Sequence, residues 1–182
     1  MELFASTSDD VRQVFFVLDS GDYSHTTHSY YAWVLPEQIT WFKEVAEQYK
    51  HGDFVKRHLI FQHIPITEYW LASRNIITGY FNEDFAMNLG WTDEQSEERV
   101  KNLPIKNGVF SPEVNSGFFF QMLQVEEIWG MFVGHDHDNN FDGVYKDIHL
   151  VYGQSSGYNT YGVEPKGVRV IDLDEKEKTI ET

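Results

Sequence analysis

Ile128-Trp129-Gly130-Met131-Phe132-Val133-Gly134-His135-Asp136-His137 reads as a buried strand that carries two imidazoles to its end. An apolar run of this length, interrupted only by a glycine, suits a strand covered on both faces. In extended backbone, residues i and i+2 face one side, roughly 6.5 Å apart. His135 and His137 can therefore share one metal ion or each hold one of two adjacent ions. Imidazole is the commonest metal-ligating side chain. Gly134 removes a Cβ where the backbone must pass close to something. The plainer alternative is a pair of solvated loop histidines in an acidic stretch.

Leu59-Ile60-Phe61-Gln62-His63-Ile64-Pro65 is a second apolar run that ends in a histidine. Pro65 cannot donate to a ladder and pushes Ile64 towards extended geometry, so the strand stops about where His63 begins. Two strands of one sheet, each ending in histidine, place their ligands on one rim if they run the same way.

Around these runs the chain alternates. Val11 to Leu18 is a β-branched, aromatic strand. Pro36 suits a first helical turn, and Ile39, Phe42, Val45, Ala46 and Tyr49 then recur at helical spacing to about Lys50. Leu59 to Gln62 is a strand and Thr67 to Ala72 a short helix or turn. Gly79 to Gly108 has no sustained period and reads as a long exposed insertion that sets substrate access. Ser116 to Val125 is a helix, Trp129 to Val133 a strand, and Val144 to Tyr152 and Val168 to Leu173 two further strands. No internal repeat or interdomain linker divides the chain, which is read as one partial domain over residues 1–182.

These segments, in this order, resemble the C-terminal half of the calcineurin-like metallophosphoesterases, in particular the purple-acid-phosphatase-like branch. The resemblance rests on Phe16-Val17-Leu18-Asp19-Ser20-Gly21, Gln38-Ile39-Thr40-Trp41-Phe42, His63-Ile64-Pro65 with Glu68-Tyr69, and Asn115-Ser116-Gly117-Phe118-Phe119. Gly134-His135-Asp136-His137, Tyr152-Gly153, Gly157-Tyr158 and Tyr161-Gly162 complete it, so it covers nearly the whole chain. It implies an α/β fold, the C-terminal half of a four-layer α/β/β/α sandwich. It implies hydrolysis of phosphomonoesters at a dinuclear site of two divalent or mixed-valence ions (Fe, Mn or Zn). His63 and His135 would bind one ion and His137 the second, with a phosphoester as substrate.

The family's first three metal-binding blocks, Asp-x-His, Gly-Asp-x-x-Asp and Gly-Asn-His-Asp/Glu, lie upstream of these segments in relatives, and none precedes them here; the one Asp-x-His, Asp147-Ile148-His149, follows Gly134-His135-Asp136-His137. Gly21-Asp22-Tyr23 matches the second only superficially and lies in the wrong segment. The family's general acid is the histidine of the third block, so the chain on its own is expected to bind metal weakly and to catalyse poorly. The alternative is an inactive, phosphatase-derived binding or regulatory module. A half-sandwich also leaves edges. The N-terminal segment and the Leu59 to Gln62 strand are expected to lack partners, which favours a homodimer or a missing N-terminal half.

Composition narrows the classes. With 14 Lys and Arg against 29 Asp and Glu, the formal net charge is −15, a field that repels nucleic acid and anionic lipid. Neither is expected as a partner. Local cations, such as a metal pair, would be needed to hold a phosphoester. The acidic clump Thr92 to Glu98 reads as solvated surface. The absence of cysteine excludes disulfides and thiolate metal sites but is compatible with any compartment. No apolar stretch nears the roughly 20 residues that span a bilayer, and the first residues lack the basic start and apolar core of a signal peptide.

Two other metal readings compete. Asp138-Asn139-Asn140-Phe141-Asp142-Gly143 opens like a calcium loop, but His149 stands where a bidentate Glu is required and the flanks read as strands. A turn whose side chains bond their own backbone is the simpler reading. His135 and His137 with a carboxylate could make an iron site, though the helix at Pro36 does not suit the barrel that usually carries one. His25, His28, His51, His58 and His149 read as surface or satisfied core histidines.

Overall fold

The computed structural model describes residues 1–50, 57–81, 105–106, 108–162 and 166–182. Four strands run parallel through the middle of a seven-stranded sheet: β2 (Val11–Val17), β3 (His58–Phe61), β7 (Ile128–Val133) and β9 (Ile148–Tyr152). Antiparallel strands finish both sides. β1 (Glu2–Phe4) pairs with β2, and β8 (Asp142–Tyr145) pairs with β9 and with β4 (Ile76–Thr78). The order is β1-β2-β3-β7-β9-β8-β4. Two small ribbons stand apart, β5 (Ile105–Lys106) with β6 (Val109–Phe110), and β10 (Asp172–Asp174) with β11 (Thr179–Glu181).

The register explains why these runs had to be apolar. Phe16, Ile60, Met131 and Leu150 are neighbours across the four parallel strands, and all are buried. Against this row pack α1 (Pro36–Gln48), through Phe42 and Ala46, and α3 (Phe118–Val125), through Phe118 and Met122. The rings of Phe42 and Phe118 meet at 5.1 Å and those of Phe42 and Phe16 at 4.9 Å. Fully burying a side chain of this size contributes about 1.5–3 kcal/mol. Pro36 opens α1, and Gln38 Oε1 accepts the Leu35 N–H at 2.8 Å, satisfying one donor that the helix itself leaves free. The short α2 (Tyr69–Ala72) buries Tyr69, whose hydroxyl donates to Met131 O at 2.7 Å.

The alternate residues make the other face. Val17, Phe61, Phe132 and Val151 form one row, one step along from Phe15, Leu59, Gly130 and His149. Here the core cluster is smaller: Leu59, Phe132 and Val151, with Ile171 and Ile180 of the C-terminal segment laid over them. Rings pass their neighbours in sequence, Phe61 on Phe132 at 5.2 Å, Phe132 on Trp129 at 6.0 Å, Trp129 on His149 at 4.0 Å. One helical layer and one sheet, with a ribbon on the second face, make the mixed α/β arrangement expected for half of a four-layer sandwich.

Three expectations are corrected. The Leu59 to Gln62 strand is no orphan: β3 lies between β2 and β7, and β2 has β1 on its outer side. Val144 to Tyr152 is not one strand but the β8–β9 hairpin, turned by Lys146 and Asp147 at φ 52° and 60°. Val168 to Leu173 does not pair as a strand. Val168 and Val170 are exposed, and pairing begins at Asp172. The Gly79 to Gly108 insertion lies mostly outside the described residues, with the Thr92 to Glu98 clump and His51. No helix among the described residues is long and apolar enough to cross a membrane.

Candidate metal centre

β3 and β7 are adjacent and parallel, so the residues just past their C-terminal ends share a rim, where α/β sheets place ligands. The ladder runs on beyond both strands, Gln62 N donating to Phe132 O and Gly134 N to His63 O, each at 3.1 Å. This brings the His63 and His135 rings to 5.2 Å between centroids, at 85°. A Cβ on Gly134 would stand 3.3 Å from His63 Nδ1, tighter than most such contacts. The close neighbour of Gly134 is thus the first imidazole.

His135 does not continue the strand. Its φ of 71° lies in the left-handed region, which costs a residue with a Cβ roughly 1–2 kcal/mol. The pleat therefore does not set the relation between His135 and His137, as extended geometry would have it. A turn does: Asp136 N donates to Gly134 O at 2.9 Å and Asn139 N to Asp136 O at 3.0 Å. Strain of this kind persists where the surroundings over-determine it, and Asp136 is what anchors the turn. Its buried carboxylate accepts from Phe110 N at 3.1 Å and from the Tyr152 hydroxyl. Burial pushes the Asp136 carboxyl up to about 7, against the pull of those hydrogen bonds.

The His135 ring is packed edge-on against Tyr31 at 4.7 Å and lies 6.5 Å from Phe110. Burial pushes its pKa down to about 4, with His63 and His137 adding to the shift and Asp22 opposing it. The imidazole is neutral at pH 7, the form that binds metal. His137 is held differently. It stacks on Tyr161 at 4.4 Å, and its Nδ1 lies 2.9 Å from Thr160 Oγ1 and 3.2 Å from the Tyr161 carbonyl oxygen. A carbonyl only accepts, so that contact keeps the proton on Nδ1 and leaves the Nε2 lone pair for a ligand. Gly162 permits the approach: at φ 129°, a Cβ there would be 2.6 Å from His137 O.

The His63 and His135 imidazoles meet, the latter kept neutral by burial, and the charge of His137 acts on His135. Among the described residues, however, no three His, Cys, Asp or Glu side chains form a group that could hold an ion. That also leaves the two-histidine, one-carboxylate site without its carboxylate.

The other described histidines lie outside this cluster. His58 is fully buried, accepts from Val14 N at 3.1 Å through Nδ1, and sits 3.3 Å from Glu127 through Nε2. His149 bonds Asp142 at 2.9 Å, and His25 and His28 lie on an exposed loop. Asp142 belongs to β8, so the run from Asp138 to Gly143 is no calcium loop. Its asparagine side chains reach other segments. Asn139 Nδ2 donates to Gly108 O at 2.9 Å, and Asn140 bonds Tyr80 N and Gln154. Tyr31, Tyr161 and Asp136 are the contributors that spacing alone did not reveal. Asp136 carried a signal in its place between the two histidines, and Tyr161 only in the Tyr161-Gly162 pair of the resemblance.

Three Arabidopsis thaliana proteins are similar along most of the chain. "Probable inactive purple acid phosphatase 29" is 28% identical over 176 residues, 90% of this chain and 39% of its own length. "Probable inactive purple acid phosphatase 14" is 29% identical over 177 residues, 91% and 38%. "Probable inactive purple acid phosphatase 28" is 28% identical over 153 residues, 81% and 32%. The chain thus spans about two-fifths or less of the length of these relatives. No profile of a known protein family matches the chain. No solved structure matches it either.

Proposed function

We infer that this chain carries the histidine-bearing part of a dinuclear metallophosphoesterase site and that, by itself, it binds metal weakly and turns phosphomonoesters over at trace rates. The observation that supports this most directly is the convergence of His63 and His135 at the ends of adjacent parallel strands, with His135 neutral. In this reading His63 and His135 hold one ion and His137 the other. Metal ions in such pairs polarise phosphoryl oxygens and activate a bound water. This chain's residues orient and desolvate the ligands. Asp136 anchors the turn, Tyr31 walls His135, and Tyr161 with Thr160 fixes the His137 ring. The names of these relatives favour a second reading, in which the fold persists as an inactive binding or regulatory module.

Calorimetric titration of the purified chain with zinc or manganese tests the ligand set. His63→Ala and His135→Ala should abolish the same binding event, and His137→Ala a different one or none. Binding indifferent to all three substitutions would refute the assignment. Turnover of a generic phosphomonoester well above trace, dependent on added metal, would refute the claim that the site is incomplete. Metal binding without any turnover is the outcome that both readings share, and an in-trans partner that restores hydrolysis would separate them.

A further inference from the structure

The ribbon of β10 and β11 leaves a cavity of about 220 Å³ between itself, β1 and the start of β2. Leu3 and Phe4 of β1, with Leu173 and Ile180 of the ribbon, give it apolar walls. Ile180 also packs on the cluster of Leu59, Phe132 and Val151, so the cavity borders the core of the second sheet face. A polar link sets the spacing of the two walls. Glu175, in the ribbon's turn, accepts from Ser6 N at 3.2 Å and lies 3.6 Å from Arg12 Nε, both on the β1–β2 side. Pinned walls keep such a space open, as a preformed ligand site requires. Arg57 of the wall precedes β3 and His63 follows it, so cavity and histidines lie roughly 20 Å apart along one strand.

Charge decides the ligand class. Arg12, Arg57 and Lys178 stand in the wall with Asp174 and Glu175, and each is engaged. Asp174 accepts from Lys176 N and Glu177 N at 2.8 and 2.9 Å. Glu175 faces Arg12. Arg57 stands 3.8 Å from Glu127, with its Nε and Nη2 enclosed. Lys178 is engaged as well. A charged ligand would have to shed its water and then displace one of these partners, whereas a neutral ligand meets only apolar side chains over most of its surface. Size sets the rest. An apolar cavity of about 150 Å³ accommodates benzene, so this one takes a single ring with a small neutral substituent.

We propose that this cavity binds a small neutral molecule built on one ring, held against Leu3, Phe4, Leu173 and Ile180. The site is separate from the histidines and does not depend on metal.

The test titrates the full, metal-free chain with 4-fluorobenzyl alcohol, observed by fluorine NMR. 4-Fluorobenzoate and 4-fluorobenzylamine present the same ring with a negative or a positive charge. Saturable binding of the alcohol, about tenfold or more tighter than either charged analogue, is expected. Leu173→Trp fills the cavity and Phe4→Ser removes part of its wall. Both positions are exposed, so the fold should tolerate the changes, and each should weaken binding about tenfold or more. No saturation by about 10 mM overturns the proposal. So does a charged analogue that binds as tightly as the alcohol, or binding unchanged by either variant in folded protein. A dimer in light scattering, with no saturable binding of the alcohol, would give this surface to a second copy of the chain and overturn the proposal too.

Discussion

Replacing His135 by glycine should leave a more stable protein than replacing it by alanine, the reverse of the usual order. Elsewhere, Gly to Ala at a compatible position stabilises by about 0.4–1 kcal/mol, mainly through the unfolded chain. At position 135 both variants lose the same ring contacts, with Tyr31 at 4.7 Å and His63 at 5.2 Å. They differ in what the backbone keeps. Alanine retains a Cβ at φ 71° and with it a left-handed penalty of roughly 1–2 kcal/mol, which glycine does not incur. Subtracting glycine's unfolded-state disadvantage leaves it ahead by about 0.5–1 kcal/mol. For a domain of this size, a difference of 1 kcal/mol moves Tm by about 2–4 °C. Urea unfolding of the two variants, under metal-free conditions, reads the difference directly. An alanine variant as stable as the glycine variant, or more so, would refute the view that the fold holds His135 under backbone strain. Asparagine, which tolerates this region, should fall between them.

Three further outcomes are expected. Metal-free stability should vary little between about pH 4 and 6.5, because two buried groups oppose each other. His135, lowered to about 4, makes stability rise with pH there, since the unfolded state binds the extra proton. Asp136, raised to about 7, makes stability fall, since the native state does. Asp136→Asn should remove the second contribution and expose a rise of up to about 3 kcal/mol across that window, measured by denaturation at stepped pH. Gly134→Ala should cost less than about 1 kcal/mol of stability yet weaken zinc binding in calorimetry, because the new Cβ displaces His63 from 3.3 Å. Unchanged affinity would count against His63 as a ligand. Phe42→Ala, at the meeting of α1, α3 and the sheet, should cost about 3–5 kcal/mol in urea unfolding. A cost under about 1 kcal/mol would show that the helical layer is not the principal core.

What could be read from the residues was local. The run before His135 and the run before His63 were legible because parallel central strands are apolar throughout, and Pro65 and Gly134 punctuate them. The helix from Pro36 was legible because Phe42 and Ala46 recur at its period. The β8–β9 hairpin was not, because its turn uses Lys146 and Asp147 at positive φ instead of the Asn-Gly or Asp-Gly that signals such a turn. Strands of three residues, such as β1 and β4, are too short to show alternation. Val168 to Leu173 alternates in composition, but pairing there is set by the ribbon's own turn at Asp174. At the site, the histidines themselves were readable and their supports were not. Tyr31 reaches His135 from the far side of the sequence, and Tyr161 reaches His137 across a loop. The conformation of His135 is a tertiary outcome that no spacing rule anticipates.

The strand order β2-β3-β7-β9 also dictates when the histidine rim can exist during synthesis. β3 is made before β7 and lacks that neighbour until residues 62 to 127 have also been made. Closing so long a loop is entropically costly, and non-local parallel pairing is slow. The nascent chain must therefore carry Leu59, Ile60 and Phe61 half-paired, an apolar template open to other chains at the ribosome. The β8–β9 hairpin comes next and is local, so it can dock on β7 as soon as β7 itself has seated. His63 and His135 meet only when β7 seats on β3, so any metal that both hold is acquired after that pairing.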